Sequence, residues 1–309
     1  MRLQRSYSFT VPFDSQARRA DAFLSQNIPE LSRSALTGEL CEIYINGMES
    51  KKSSKVRPGD TVELFYVADV FEDVEKQDIP LDIIYEDRCM LVINKAQGMV
   101  VHPGAGNPDG TVVNALAYRY GDEFIKTMSD ECDLTRPGIV HRLDKDTSGV
   151  LVIALTPQAH AFLSEQFQQR RTQKFYYAVC DGVFSKHTGE VSCLLARDPN
   201  NRKLFASSKT RGKESLSTYT VERQFVDSAI VKVQIHTGRT HQIRVHMKSI
   251  GHPVVGDVLY NKKISRFPGY PLMLHSFSLD IKHPETGEMM HFEAPLPQRF
   301  EEFRLNHVD

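Results

Sequence analysis

The residues best suited to chemistry form a charged loop directly before a buried strand. Residues 141–149 read HRLDKDTSG, and the apolar run 150–155 follows them. Polar groups held at the end of a sheet are typical of catalytic loops. Asp144 and Asp146 leave three roles open: a metal pair, an acid/base pair, or one reactive carboxylate beside one turn residue. Spacing alone also fits two turn residues.

Two arguments favour the third role. A divalent metal needs further oxygen ligands, and Lys145 between the two acids disfavours such a site. The sequence from Asp146 to Gly149 is also typical of a turn in which a side chain bonds to the backbone. We therefore interpret Asp144 as the reactive carboxylate and Asp146 as structural.

A second stretch concentrates cationic side chains. Residues 236–257 read HTGRTHQIRVHMKSIGHPVVGD and include Arg239, Arg244 and Lys248. An arginine beside a catalytic carboxylate would keep it ionised, and several cations together suit phosphate binding. Three histidines of this stretch, His236, His241 and His246, lie five residues apart. That spacing matches neither helical metal ligands nor the HExxH motif, so the sequence predicts no metal site here.

A third stretch carries paired tyrosines. Residues 173–182 read QKFYYAVCDG. Strand alternation predicts Phe175 and Tyr177 on the core side and Tyr176 on the opposite face. A tyrosine at the edge of a cleft can stack on a base, which suits a chain without tryptophan.

The elements that must position these residues are mainly strands. Apolar runs at 83–85, 90–94, 149–155, 175–179, 217–221, 229–235 and 274–281 predict strands, and 112–119 and 157–170 predict helices. The two types do not alternate strictly. The pattern therefore favours an α+β fold with a mixed, mostly antiparallel sheet over residues 83–305.

A small α/β module is predicted over residues 15–70. It comprises helices at 17–24 and 32–41, a hairpin at Asn46-Gly47 and a last strand at 61–66. Residues 14–69 hold seven Lys/Arg against nine Asp/Glu, so the module is not net basic. One basic side is still possible, because its cations include Arg18, Arg19, Arg33, Lys51 and Lys52. An acidic linker is predicted at 71–82.

Charge and composition bound the function. The chain has 309 residues and a net charge of −1, so two domains are expected and a uniformly basic nucleic-acid coat is excluded. The charges are nevertheless segregated. Residues 60–90 hold ten acids against two bases, whereas residues 136–213 hold thirteen bases against six acids. This near-neutral chain therefore contains a basic central segment.

The expected setting is cytoplasmic. The longest apolar run has six residues, far short of the roughly 20 that span a bilayer, and no secretory signal is readable. The five scattered cysteines predict reduced thiols.

The three chemical stretches together resemble the RluA-type pseudouridine synthase family. HRLDKDTSG resembles its catalytic loop, KFYYAVCDG its tyrosine motif and GRTHQIRVHM its arginine motif. Residues 94–116, NKAQGMVVHPGAGNPDGTVVNAL, resemble the large-subunit synthase D branch, which modifies 23S ribosomal RNA. Residues 15–66 resemble an S-four-type RNA-binding domain. The resemblance implies the pseudouridine synthase fold for the larger domain.

The resemblance also implies roles for individual residues. Asp144 would be the nucleophile, and Arg142 would enter the RNA helix where the target uridine is flipped out. Tyr176 would stack on the uracil and assist proton removal at carbon 5. Arg244 would pair with Asp144, and Ile243 would line the uracil pocket. Arg239 and His241 complete the expected substrate pocket.

The function implied is isomerisation of specific uridines in ribosomal RNA, free or in a pre-50S particle, by a monomer that needs no cofactor or metal. Two other hypotheses stay open. One is a catalytically silent RNA-binding or ribosome-assembly factor, suggested by the small module and the basic segment. The other is a metal-dependent phosphohydrolase that uses Asp144 and Asp146.

Overall fold

The chain divides into two compact units. In a computed structural model they are Met1–Val74 with Ile125–Pro137, and Glu75–Phe124 with Gly138–Asp309. The structure describes residues 2–28, 41–69, 74–104, 106–131, 136–199, 201, 204–262 and 264–307. Arg33, most of the predicted helix 32–41 and part of the predicted linker 71–82 lie outside these residues.

The first unit is built on an antiparallel sheet with strand order β1-β6-β3-β4. Phe23 and Leu24 of its helix are buried in one core with strand residues Val62 and Leu64. In chain order its elements are β1 (Arg2–Thr10), β2 (Arg18–Arg19), α1 (Ala20–Asn27), β3 (Cys41–Ile45), β4 (Met48–Ser50), β5 (Lys55–Val56) and β6 (Thr61–Asp69).

In the first unit, the predicted hairpin is confirmed, whereas the predicted start of the helix is not. The Asn46-Gly47 hairpin is confirmed: both residues have positive φ, 53° and 76°, and they join β3 to β4. Positive φ at both positions is the signature of the tight hairpin turn that Asn-Gly favours. The helix predicted at 17–24 instead begins at Ala20, because Arg18 and Arg19 form strand β2 against β5.

The second unit carries a large sheet. In chain order its elements are β7 (Ile83–Glu86), β8 (Met90–Lys95), α2 (Val112–Glu131, whose last residues belong to the first unit), β9 (Ser148–Ala154), α3 (Pro157–Gln168), β10 (Gln173–Asp181), β11 (Thr188–Arg197), β12 (Phe205–Ser208), β13 (Lys213–Gln224), β14 (Ser228–Ile235), α4 (Gln242–Ser249), β15 (Leu274–Lys282), β16 (Met289–Glu293) and α5 (Gln298–Asn306).

The sheet confirms the predicted α+β class with mixed, mostly antiparallel pairing. Within the described residues its order is β12-β11-β13-β14-β10-β15-β9-β8-β7, with β16 beside β15. Only β9 and β15 pair in parallel there. Every residue of β9 is buried, as expected for a central strand with both faces covered. No helix in the described ranges is long and apolar enough to cross a membrane.

The start of β9 requires a glycine. Gly149 has φ +113° and faces Ser276 of β15 so closely that a Cβ would lie 2.1 Å from the Ser276 carbonyl oxygen. We expect Gly149→Ala to destabilise the protein by about 3 kcal/mol, because backbone strain adds to the clash. Thermal unfolding would measure this. Gly104→Ala is the control, because nothing lies within 4 Å of a Cβ there; equal melting temperatures would contradict the prediction.

Candidate active site

The predicted chemical residues of the second unit line a single cleft. Its volume of about 440 Å³ lies in the usual range for small-molecule sites. Loop residues 140–144, strand β10 and the segment 237–244 form its walls. Seven predicted residues line it: Asp144, Tyr176, Arg244, Arg142, Ile243, Arg239 and His241.

Four predicted cations of the first unit lie within the described residues: Arg18, Arg19, Lys51 and Lys52. Arg18 and Arg19 in β2 pair with β5, and the Asp21 amide donates to the Lys52 carbonyl at 3.0 Å. These contacts bring the backbone of residues 18–21 beside that of residues 52–56. Lys51 and Lys52 are exposed, whereas Arg19 is paired with Asp21 at 2.7 Å. Part of the expected positive charge is therefore neutralised locally.

Hydrogen bonds and buried side chains hold the loop 141–149 so that Asp144 and Asp146 lie in different surroundings. Leu143 and Thr147 are buried, and the Thr147 amide closes a turn on the Asp144 carbonyl. The ring of His141 accepts a hydrogen bond from the Val152 amide, 2.9 Å away, and burial lowers the pKa of this histidine to about 3. Asp144 opens into the cleft, whereas Asp146 is exposed and does not line it.

A buried lysine donates hydrogen bonds to backbone carbonyls in and near this loop. Lys95, 1% exposed, donates three hydrogen bonds to the carbonyls of Ala96, Met99 and Lys145 at 2.7–3.1 Å. Burial lowers its pKa to about 8, opposed by the charges of Asp146 and Asp144. Sequence reasoning did not single it out. The available signal was a lysine at the end of a mostly apolar strand.

Helix α4 positions the arginine motif, and the sequence did not predict it. Gln242 accepts hydrogen bonds from Thr237 Oγ1 at 2.7 Å and from the Arg239 amide at 3.0 Å. His246, fully buried, lies 2.8 Å from Ser215 Oγ and 3.0 Å from Ser217 Oγ. Polar contacts therefore attach α4 to β13 and turn Arg244 toward the cleft.

Arg244 lies between two carboxylates. It is paired at both Nε and Nη2 with Asp257, at 2.7 and 2.8 Å, while its Nη1 lies 3.3 Å from Asp144. The carboxylates outweigh the effect of burial and raise the pKa of Arg244. Asp257 is fully buried and was not predicted as a site residue. Its tight two-point contact fixes the guanidinium, and the looser contact leaves an Asp144 oxygen facing the cleft.

His241, the residue immediately before α4, approaches the same carboxylate. Its Nε2 lies 3.8 Å from Asp144 Oδ2, and its Nδ1 lies 2.7 Å from the hydroxyl of Tyr260. The Phe205 amide already donates to that hydroxyl at 2.9 Å, so the simplest arrangement has Tyr260 donating to Nδ1 and the His241 proton on Nε2. Burial lowers the pKa of His241, so the ring presents a neutral N–H toward Asp144.

Tyr260→Phe tests this arrangement. The hydroxyl is buried and serves both His241 and the Phe205 amide, so its loss leaves polar groups unsatisfied. We expect a destabilisation of about 1–3 kcal/mol and a lower kcat. Thermal unfolding and turnover would measure both. Tyr118→Phe, at a largely exposed position, should change neither; a Tyr260→Phe enzyme with wild-type kcat would contradict the assignment.

Strand β10 alternates as predicted, with Tyr176 on the face opposite Phe175 and Tyr177, but the prediction of which face is buried is wrong. Phe175 and Tyr177 are only half-buried, whereas Tyr176 is 7% exposed. The reason is that the cleft is itself a covered face, walled by the catalytic loop and the segment 237–244. Burial, with the charge of Asp144, raises the pKa of Tyr176 to about 12 against a hydrogen bond from Ser276. Its hydroxyl therefore stays protonated at neutral pH.

One group of side chains outside the cleft has metal-ligand chemistry. Asp87, Cys89 and His283 place their ligand atoms within 4.8 Å of one another. Asp87 already accepts hydrogen bonds from His283 Nε2 at 2.6 Å and from the Cys89 and Met90 amides. Burial raises the pKa of Cys89 to about 12, which disfavours the thiolate that a metal requires. These contacts make the group a hydrogen-bonded structural cluster.

Comparison with known proteins defines the class. Residues 89–249, just over half of the chain, match the family model for RNA pseudouridylate synthases. The chain belongs to this family and is an RNA pseudouridine synthase, which confirms the RluA-type resemblance. Its fold is similar to that of human RNA pseudouridylate synthase domain containing 1, with a TM-score of 0.56 and 29% identity over 72% of this chain and 84% of that one.

Full-length relatives are more similar in sequence. An uncharacterised RNA pseudouridine synthase of Aquifex aeolicus is 42% identical over 97% of this chain and 96% of its own. A ribosomal large subunit pseudouridine synthase D of Xylella fastidiosa is 41% identical over 94% of this chain and 86% of its own. The similarity thus extends over both units.

Proposed function

We propose that this enzyme isomerises specific uridines of ribosomal RNA, and of 23S ribosomal RNA in particular. Several relatives that match over most of the chain are ribosomal large subunit pseudouridine synthases D. The cleft also fits a polyanion, since its lining includes Arg142, Arg170, Lys174 and Arg239. Cations around a reacting nucleotide hold the RNA by its phosphates and leave the base free for chemistry.

The observation that carries this proposal is the placement of Asp144. Its carboxylate opens into the cleft 3.3 Å from Arg244 and shares the lining with Tyr176 and Ile243. In the proposed reaction it acts as the nucleophile while the bond from carbon 1′ to N1 of uracil breaks and a bond to carbon 5 forms. Attack at carbon 1′, attack on the uracil ring and assistance to a glycal all fit this position.

Tyr176 and Ile243 are proposed to hold the uracil. Both are buried side chains of the cleft, and aromatic contact with a flipped base is a general way to hold it. Because the pKa of Tyr176 is raised to about 12, its hydroxyl is not a resident phenolate. It accepts the carbon 5 proton as its own proton passes to water, and uracil N1, released from carbon 1′, takes up a proton from water, so that no net proton is released.

Arg142 is proposed to take the place of the flipped uridine. It is exposed at the cleft, two residues from Asp144. Extruding a base costs a few kcal/mol, which an inserted guanidinium and contacts with the base would offset. The first unit, through Arg18, Arg19, Arg33, Lys51 and Lys52, is proposed to contact RNA beyond the target.

Tritium release tests the activity. Purified protein is incubated with 23S ribosomal RNA labelled at uridine carbon 5, and pseudouridines are mapped in RNA from cells with and without the gene. We expect release at discrete positions that are unmodified without the gene. Tight binding without release would contradict 23S ribosomal RNA as the substrate.

Salt dependence tests how the RNA is held. Because the cleft cations displace counterions from phosphates, log Kd for an rRNA fragment should rise linearly with log salt concentration. Filter binding at several potassium chloride concentrations measures the slope. A flat response would contradict binding through the basic cleft.

A further inference from the structure

One wall of the cleft presents a buried lysine without an anion. Lys174 lines the cleft on β10 and is 8% exposed. Within the described part of the chain its ammonium has no carboxylate and no hydrogen-bond acceptor, and it lies 5.6 Å from the centre of the Phe167 ring. Burial and the nearby Arg170 both lower its pKa, to about 8. A desolvated charge in this state is costly.

The contrast with Lys95 shows that this lysine is not a structural one. Lys95 is more deeply buried, 1% exposed against 8% for Lys174, and three backbone carbonyls accept its three protons. The hydrogen-bonding capacity of the Lys95 ammonium is therefore fully used within the protein. Lys174 keeps its hydrogen-bonding capacity for something that enters the cleft.

The position of Lys174 indicates what that partner is. Alternation along β10 places Lys174 and Tyr176 on the same face, about 7 Å apart along the strand. Arg170 lines the same cleft and is close enough to Lys174 to lower its pKa, so two positive charges lie near each other in the lining. Uracil is neutral and does not call for two cations, whereas a phosphodiester carries the matching charge. Lysine is a common phosphate ligand because it is a compact point charge.

We propose that Lys174, assisted by Arg170, binds a phosphodiester group of the RNA strand immediately beside the uridine that reacts at Asp144. This inference rests on the proposed function, since it requires an RNA uridine in the cleft. The bound phosphate compensates the buried ammonium and fixes the reacting nucleotide between Lys174 and Tyr176. Lys174 is thus a substrate-binding residue that the catalytic motifs do not explain.

The first test compares matched lysine variants on an rRNA hairpin that carries a mapped target uridine. Lys174→Met should weaken binding and raise KM about tenfold or more and reduce the salt slope by about one. Lys174→Arg should restore the slope. Lys232→Met is the control. It also removes an ammonium that lies over an aromatic ring, 4.9 Å from the centre of the Phe175 ring, but Lys232 is outside the cleft. Thermal unfolding checks that each variant is folded.

The decisive test removes the charge from the RNA. Single methylphosphonates are placed at each phosphate near the target uridine. At one position the wild-type protein should lose affinity, whereas Lys174→Met should lose little more, so the two changes are strongly non-additive. Full additivity at every position would overturn the proposal. Wild-type conversion of the hairpin is scored separately: without conversion the proposed function fails, and conversion without coupling refutes the phosphate site alone.

Discussion

Asp144→Asn is expected to lower kcat for pseudouridine formation by about 10³-fold or more, as for loss of a nucleophile or acid–base group. The amide keeps the size of the side chain but cannot attack carbon 1′ or the uracil ring as a carboxylate can. Folding should be preserved, because Arg244 keeps its two contacts with Asp257. RNA affinity should be unchanged or slightly higher, since a negative charge leaves a cleft that binds phosphates.

Asp146→Asn is the matched control for this variant. The residue lies in the same loop, two positions along, but is exposed and does not line the cleft. It should retain wild-type turnover in the tritium-release assay, with and without a chelator. Appreciable turnover by Asp144→Asn would refute its assignment. Equal losses in both variants would instead show that the reaction needs Asp146 as much as Asp144.

The contrast between these two acids shows what sequence can predict at this site. Their types and the following buried strand were enough to select the loop and to prefer Asp144. The arginine motif was likewise visible, because it concentrates donors in a few residues. Helix α4 was not, since Ile243 and Val245 are buried together with Gln242 and Arg244. The helix is also only eight residues long and mostly polar, so a search for apolar runs does not select it.

Partners that are distant in sequence were also missed. Lys95 supports the catalytic loop through carbonyls that include one from Lys145, 50 positions away, and no local pattern predicts such a contact. The prediction of which face of β10 is buried was wrong for a related reason. Alternation assigns residues to two faces, but which face is covered depends on the loop and helix that pack there. Residue chemistry was therefore readable from the sequence, while burial depended on the tertiary fold.

Asp257 is the most consequential of the missed residues, and Asp257→Asn is expected to have the largest effect on stability. The substitution leaves the Arg244 guanidinium, 7% exposed, without its main counter-charge. Breaking a buried ion pair from one side costs about 3–5 kcal/mol, which for a domain of this size lowers the melting temperature by roughly 5–15 °C. Turnover should fall as well, because the guanidinium is then free to move onto Asp144.

Asp122→Asn provides the matched control for Asp257→Asn. Its partner Lys76 also lies 2.7 Å away, but the Asp122 side chain is 83% exposed, and exposed pairs contribute about 0–1 kcal/mol. The melting temperature of this variant should therefore stay near that of the wild type. A double variant, Arg244→Met with Asp257→Asn, should be less destabilised than the sum of the two single changes, since no buried charge is left unpaired. Additive losses, or equal melting temperatures for Asp257→Asn and Asp122→Asn, would show that Asp257 does not hold Arg244 in place.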